Sequence, residues 1–115
     1  MVRPMVKVPL EAYKKAKLAA TRTKLLNQAK QVALALLMYS NDFDDNYMSN
    51  SGNWQQQLMP YLKDGSLMDG FNLTMNGGNA TQIASPADTI MGYFDGPGGR
   101  AIAYADGHCK WVPNP

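Results

Sequence analysis

The 115-residue chain contains one cysteine, Cys109, and one histidine, His108. A lone thiol excludes an internal disulfide framework and any multi-cysteine zinc or iron–sulfur site. Glutamate occurs once, at Glu11, and the remaining acids are eight aspartates, all from Asp42 onward. No stretch reaches the roughly eighteen consecutive apolar residues of a membrane-spanning helix. Arg3, Lys7, Glu11, Lys14 and Lys15 interrupt the start, and the best later run, Val32 to Tyr39, is too short. With 45% hydrophobic and 17% charged residues, the chain can build one domain with a modest core.

Charge is distributed unevenly. Residues 1–30 hold eight of the eleven lysines and arginines against the single acid Glu11, and residues 31–115 hold three against eight aspartates. The first segment therefore carries +7 and the remainder −5, although the whole chain is only +2. Such a polarity lets the basic end of one copy approach the acidic body of another, or lets it approach an anionic surface. Nucleic acid is not the expected partner, because the basic segment lacks an arginine-rich reading face and aromatic stacking residues.

From Pro9 to about Asn41 the chain has no glycine and no internal proline and is rich in alanine, leucine, lysine and glutamine, which predicts one long helix. Leu10, Tyr13, Ala16 and Ala20 begin a stripe that Leu26, Ala29, Ala33, Leu36 and Ser40 continue. At 1.5 Å per residue this helix is about 50 Å long, more than a compact domain of this size is wide. Residues 1–25, with lysines around the circumference, are expected to protrude. Residues 26–115 are expected to form a globular head, with Val32 to Tyr39 covered on several sides.

Trp54 to Leu62 predicts a short helix capped by Asn53 and limited by Pro60, and residues 64–82 read as loop. Thr89 to Phe94, Arg100 to Ala105 and His108 to Val112 read as strands, the last two joined by a two-residue Asp106-Gly107 turn. That turn pairs Tyr104 with Cys109 and Ile102 with Trp111, and directs these four residues at the helix. The expected fold class is α+β: a long N-terminal helix packed on a small antiparallel sheet, in one domain.

No catalytic set emerges. His108 and Cys109 are neighbours on a strand and point to opposite faces, so they cannot act as base and nucleophile. The run Asp42-Phe-Asp-Asp-Asn-Tyr47 opens like a calcium loop, but Tyr47 stands where the loop needs glycine and Asn53 where it needs glutamate. An EF-hand is excluded. The reading expects no cofactor, with an irregular calcium site, here or around Asp95 and Asp106, left as an alternative.

Four pieces in a fixed order resemble one family. They are Asn27 to Tyr47 (NQAKQVALALLMYSNDFDDNY); Trp54 with Leu58, Pro60 and Tyr61; Ile83-Ala-Ser-Pro-Ala-Asp-Thr-Ile90; and Tyr104-Ala-Asp-Gly-His-Cys-Lys-Trp-Val112. Together they resemble the bacterial type IV pilin-like proteins and type II secretion pseudopilins, in particular prepilin-like proteins with a C-terminal Asp-Gly-His hairpin. The resemblance implies subunits that pack the C-terminal half of a long helix on a sheet and assemble through their N-terminal halves. It also draws attention to Asp95 and Asp106, since related pseudopilins often hold calcium in a C-terminal loop.

The chain departs from that family at its start. It opens Met-Val-Arg-Pro and has no Gly-Phe cleavage site, no glutamate at the fifth mature position and no apolar span. The expectation is either that such a span has been removed or that assembly proceeds without it. Gly96 stands where the subgroup carries a histidine, and its mid-domain Cys-Pro pair is missing.

The function expected from these readings is a non-enzymatic, extracellular or cell-envelope subunit of a bacterial pilus-like filament. Its partners are copies of itself and other pilin-like subunits, with a membrane involved only through a missing N-terminal segment. Leu10, Tyr13, Lys14, Lys15, Ala16, Lys17, Leu18, Ala20 and Arg22 form the expected assembly surface, and Asp42, Asp44 and Asp45 the acidic patch that receives it. The alternative is the soluble head of a membrane-anchored pseudopilin in a secretion or DNA-uptake machine.

Overall fold

The computed structural model describes residues 9–114. Helix α1, Leu10–Asp42, is uninterrupted over 33 residues. Pro9 precedes it, and the Pro9 carbonyl accepts the first helical bond from the Tyr13 amide at 3.0 Å. Glu11 lies in the first turn, where a negative charge suits the helix dipole. The helix ends where Asp44 and Asp45 enter the left-handed region, with φ of 58° and 65°, a conformation that aspartate tolerates better than most residues. The Ser40 carbonyl accepts the amides of both Phe43 and Asp45, so the last turn closes on itself.

Helix α2, Trp54–Leu58, runs directly into a 3-10 turn, Met59–Tyr61. Asn53 occupies the cap position without capping; its side chain interacts with Ser51 and Gln57 instead. Strands β1 (Phe71–Leu73), β2 (Ile90–Gly96), β3 (Gly99–Tyr104) and β4 (Cys109–Pro113) form an antiparallel meander in the order 1-2-3-4. The fold is thus α+β, a long N-terminal helix packed on a four-stranded antiparallel sheet.

The hairpin register differs from the sequence expectation by one residue. Ala103 pairs with Cys109, Ile102 with Lys110 and Ala101 with Trp111. The connection is a three-residue loop, closed by Tyr104 and His108, in which Gly107 takes φ of 94°. A one-residue slip exchanges the faces of a strand. Ala101, Ala103 and Ala105 therefore lie on the core side with Cys109 and Trp111, whereas Ile102 and Tyr104 lie on the opposite face of the sheet, where Ile102 is still only 9% exposed and the Tyr104 ring stacks on His108.

The alanines have a packing consequence. Ala101 and Ala103 on the sheet and Ala29 and Ala33 on α1 are all fully buried, and small residues on both surfaces let α1 lie close across β3. Around this contact Leu36, Leu58, Met48, Met91 and Phe94 fill the core. Val32, Ala35 and Ser40 are buried as well, but Leu34 is 60% exposed and Met38 46%. The segment expected to be covered on several sides is therefore open at the back, because a two-layer domain covers a helix only where the sheet and its flanking turns reach.

The β1 strand lies inside the segment read as loop. Its three residues pair with Phe94, Tyr93 and Gly92 of β2, a partner that is distant in sequence. The loop after α1 is anchored across the molecule by the Tyr47 hydroxyl, which donates to the Ala105 carbonyl at 2.8 Å.

Candidate assembly surface

Residues 10–20 of α1 are exposed throughout, and the first contacts with the head come from Arg22 and Leu25. The Arg22 guanidinium lies 5.1 Å from the Trp111 ring centroid, and a Leu25 methyl packs beside Gly96. Arg22, expected to reach a neighbouring copy, is thus turned toward its own head. The boundary between the two parts falls about one helical turn before residue 26.

The other positions of the expected surface are open to solvent, including Leu10 at 60%, Tyr13 at 56% and Leu18 at 44% exposed. They do not share one side. At 100° per residue, Tyr13, Ala16 and Ala20 align with Leu34 and Met38 on the side away from the sheet, whereas Leu18, Lys15 and Arg22 point along the sheet side. Lys14, Lys17, Leu18 and Thr21 border one shallow, apolar recess on the free half of the helix.

Asp42, Asp44 and Asp45 are exposed together at the far end of α1. Among the described residues the ion pairs are Arg100 with Asp95, at 2.8 Å, and His108 with Asp106. The helical lysines and the three aspartates therefore have no ionic partners within the described chain. Lys17 and Asp42 are about 38 Å apart along one helix at 1.5 Å per residue, several times the Debye length of about 8–10 Å. The last turn of α1 also holds no basic residue, so carboxylates sit against the negative end of the dipole.

An aromatic corner not foreseen from sequence adjoins this acidic end. Tyr39 and Phe43 stack with centroids 4.3 Å apart, and Tyr61 meets Tyr39 edge-on at 6.0 Å. The Tyr61 hydroxyl donates to Asp42 Oδ2 at 2.7 Å, and that bond to a carboxylate raises the Tyr61 pKa. Tyr39, Phe43, Gln57, Pro60 and Tyr61 line an open hollow of about 340 Å³. The four-residue spacing of Tyr39 and Phe43 was a readable signal, but Tyr61 is brought in from another element.

The structure separates Asp95 from Asp106. Asp95 lies beside the β2–β3 turn, where Arg100 Nε binds it, and Asp106 lies in the β3–β4 loop. The length of β3 between them, about 20 Å at 3.3 Å per residue, excludes a shared ion. Among the described residues no group of three or more His, Cys, Asp or Glu side chains is placed to hold a metal. The Asp106 pKa is held low, chiefly because its carboxylate accepts the His108 amide and secondarily through the His108 ring.

His108 and Cys109 do point to opposite faces. The Cys109 thiol lies against the helix, and burial pushes its pKa up to about 11, with nearby Lys30 opposing and Asp106 adding slightly. Iodoacetamide at pH 8 should therefore label native Cys109 at least ten-fold more slowly than the urea-unfolded chain, as followed by mass spectrometry. Because the folded value is raised, the buried neutral thiol stabilises the fold fully below pH 9, and that contribution is lost as the pH rises toward about 11.

The fold and this surface define an α+β protein with a free basic helix half and an acidic head. Comparison of the chain with protein-family models, with curated proteins and with solved structures finds no match.

Proposed function

We propose that this chain is a non-enzymatic structural subunit that assembles with copies of itself into a pilus-like filament outside the cell or in the cell envelope. The observation that carries this reading is the 38 Å-scale separation of unpaired lysines on the free half of α1 from unpaired aspartates at its other end. Charges that cannot meet within one molecule can meet between two. The two surfaces differ, so the contact is heterologous and need not close into a ring; repetition gives an open helical array. Exposed Leu10, Tyr13 and Leu18 add apolar area to the same half-helix.

Single exposed ion pairs contribute only about 0.2–1 kcal/mol, so the charge acts through several pairs per contact and through its repetition along the filament. The concentrated chain should form filaments in negative-stain electron microscopy at low salt and lose most of them at 1 M salt, where the Debye length falls to about 3 Å. Reversing Lys14 and Lys15 to glutamate should reduce filament yield at least ten-fold at low salt. Unchanged yield would remove the electrostatic basis of the reading, and dispersed particles for the wild-type chain under all conditions would remove the assembly reading itself.

A further inference from the structure

The geometry points to the aromatic corner at the end of α1 as a socket for a lysine side chain of a second copy, with Tyr39, Phe43 and Tyr61 as its walls and Asp42 as its counter-ion. The socket rests on the proposed self-assembly and specifies where one subunit receives another. Three aromatic rings around an open hollow, with a carboxylate held at the rim, combine the two groups that attract an ammonium: the negative face of a ring and a full negative charge. Phe43 is 50% exposed although it is fully apolar, and Asp42 has no lysine or arginine within 4 Å among the described residues.

Tyr61 has a second part in this arrangement. Its hydroxyl donates to Asp42 Oδ2, which leaves the other carboxylate oxygen for an incoming ammonium and fixes the ring that forms one wall. The position at the C-terminus of α1 adds the negative end of the helix dipole, so the site favours a cation by charge, by dipole and by ring face together. Lys63 lines the adjacent cleft with Leu34 and Met38 and does not reach Asp42, so among the described residues no lysine or arginine fills the socket.

The complementary surface is on the free half of α1, where Lys14 and Lys17 flank Leu18 and Thr21 around the apolar recess. Exposed Leu18 between the two lysines and exposed Phe43 at the socket give both surfaces apolar area beside their charges. Both surfaces belong to the same chain, one at each end of the same helix. Occupation of every socket by the next copy's lysine extends the assembly in one direction.

The test is carbodiimide cross-linking of the full chain in an equal mixture of ¹⁴N- and ¹⁵N-labelled protein, with peptide mass spectrometry to identify links of mixed isotope. The expected result is a mixed link from Asp42 to Lys14 or Lys17, together with association about five-fold weaker in Phe43→Leu by sedimentation velocity. Phe43 is exposed, so an unchanged helical circular dichroism signal separates this effect from misfolding. Mixed links that join the lysines to other carboxylates and not to Asp42 overturn the socket while leaving self-assembly standing, as does unweakened association of Phe43→Leu. A monomer without mixed links at all concentrations overturns both.

Discussion

Truncation of Phe94 to alanine should lower the unfolding free energy by about 3–5 kcal/mol. The side chain is 2% exposed, lies on the core side of β2 and meets the Phe71 ring edge-on at 5.1 Å. Its strand neighbours are Phe71 on β1 and Ala101 on β3, so truncation opens a cavity that the alanine at position 101 is too small to fill. Domains of this size have about 5–15 kcal/mol in hand, and the midpoint of thermal unfolding should fall by on the order of 15 °C. Urea titration is the direct measurement: the midpoint should move and the slope should not. A loss below about 1 kcal/mol would contradict the packing of β2 against β1 and the helix.

Gly92→Val should detach β1 from the sheet. A Cβ at position 92 would stand 2.4 Å from the Asn72 carbonyl oxygen and 2.5 Å from the Phe71 ring, closer than any real contact allows. The obstacle includes backbone, so relief requires the β1–β2 pairing to open, and the expected cost is about 3 kcal/mol or more. Hydrogen exchange should report it locally, with the β1 amides losing protection while Gly99–Tyr104 keeps its own. Gly52→Ala is the matching control, since a Cβ there meets nothing within 4 Å and it should change stability by less than about 0.5 kcal/mol. Equal protection of β1 in the valine variant would mean that the close approach at Gly92 is not as described.

These two residues mark the limit of what pattern alone reveals. Phe94 belongs to an apolar run that reads as a strand, but nothing in that run says that its partner is Phe71, because the pairing is between segments 23 residues apart. Gly92 resembles any other glycine until β1 is laid against it. The β1 strand itself has only three residues, Phe71–Leu73, too few for alternation to stand out against the surrounding turns.

The hairpin shows the same division at higher resolution. Asp106-Gly107 between two β-rich runs announces a turn, and the turn is there. The loop length sets the register, however, and both a two-residue and a three-residue loop accommodate Asp-Gly. The three-residue form places alanines 101, 103 and 105 against the helix and turns Ile102 and Tyr104 to the opposite face of the sheet. The reason lies in α1, whose buried Ala29 and Ala33 can approach the sheet closely only if small residues meet them.

The candidate surface was legible in part. The lysines of the first helical half and the aspartates after residue 41 are visible in the composition, as is a helix too long for its domain. Their mutual isolation follows at once from 1.5 Å per residue along a helix that does not bend back. Charge patterning groups Arg22 with the free lysines because it carries no information about which side of the helix the sheet occupies. Only the packed structure turns it over Trp111.

What the sequence by itself determined is therefore the helix, the polarity of charge, the three longer strands and the α+β class, all of which arise from interactions among residues near one another in the chain. Tertiary structure alone decided the sheet register, the existence of β1, the open back of α1 at Leu34 and Met38, and the corner that joins Tyr39 and Phe43 to Tyr61 and Asp42. Each of those depends on contacts between distant segments, whose geometry is set by the volumes available once the helix and sheet have met.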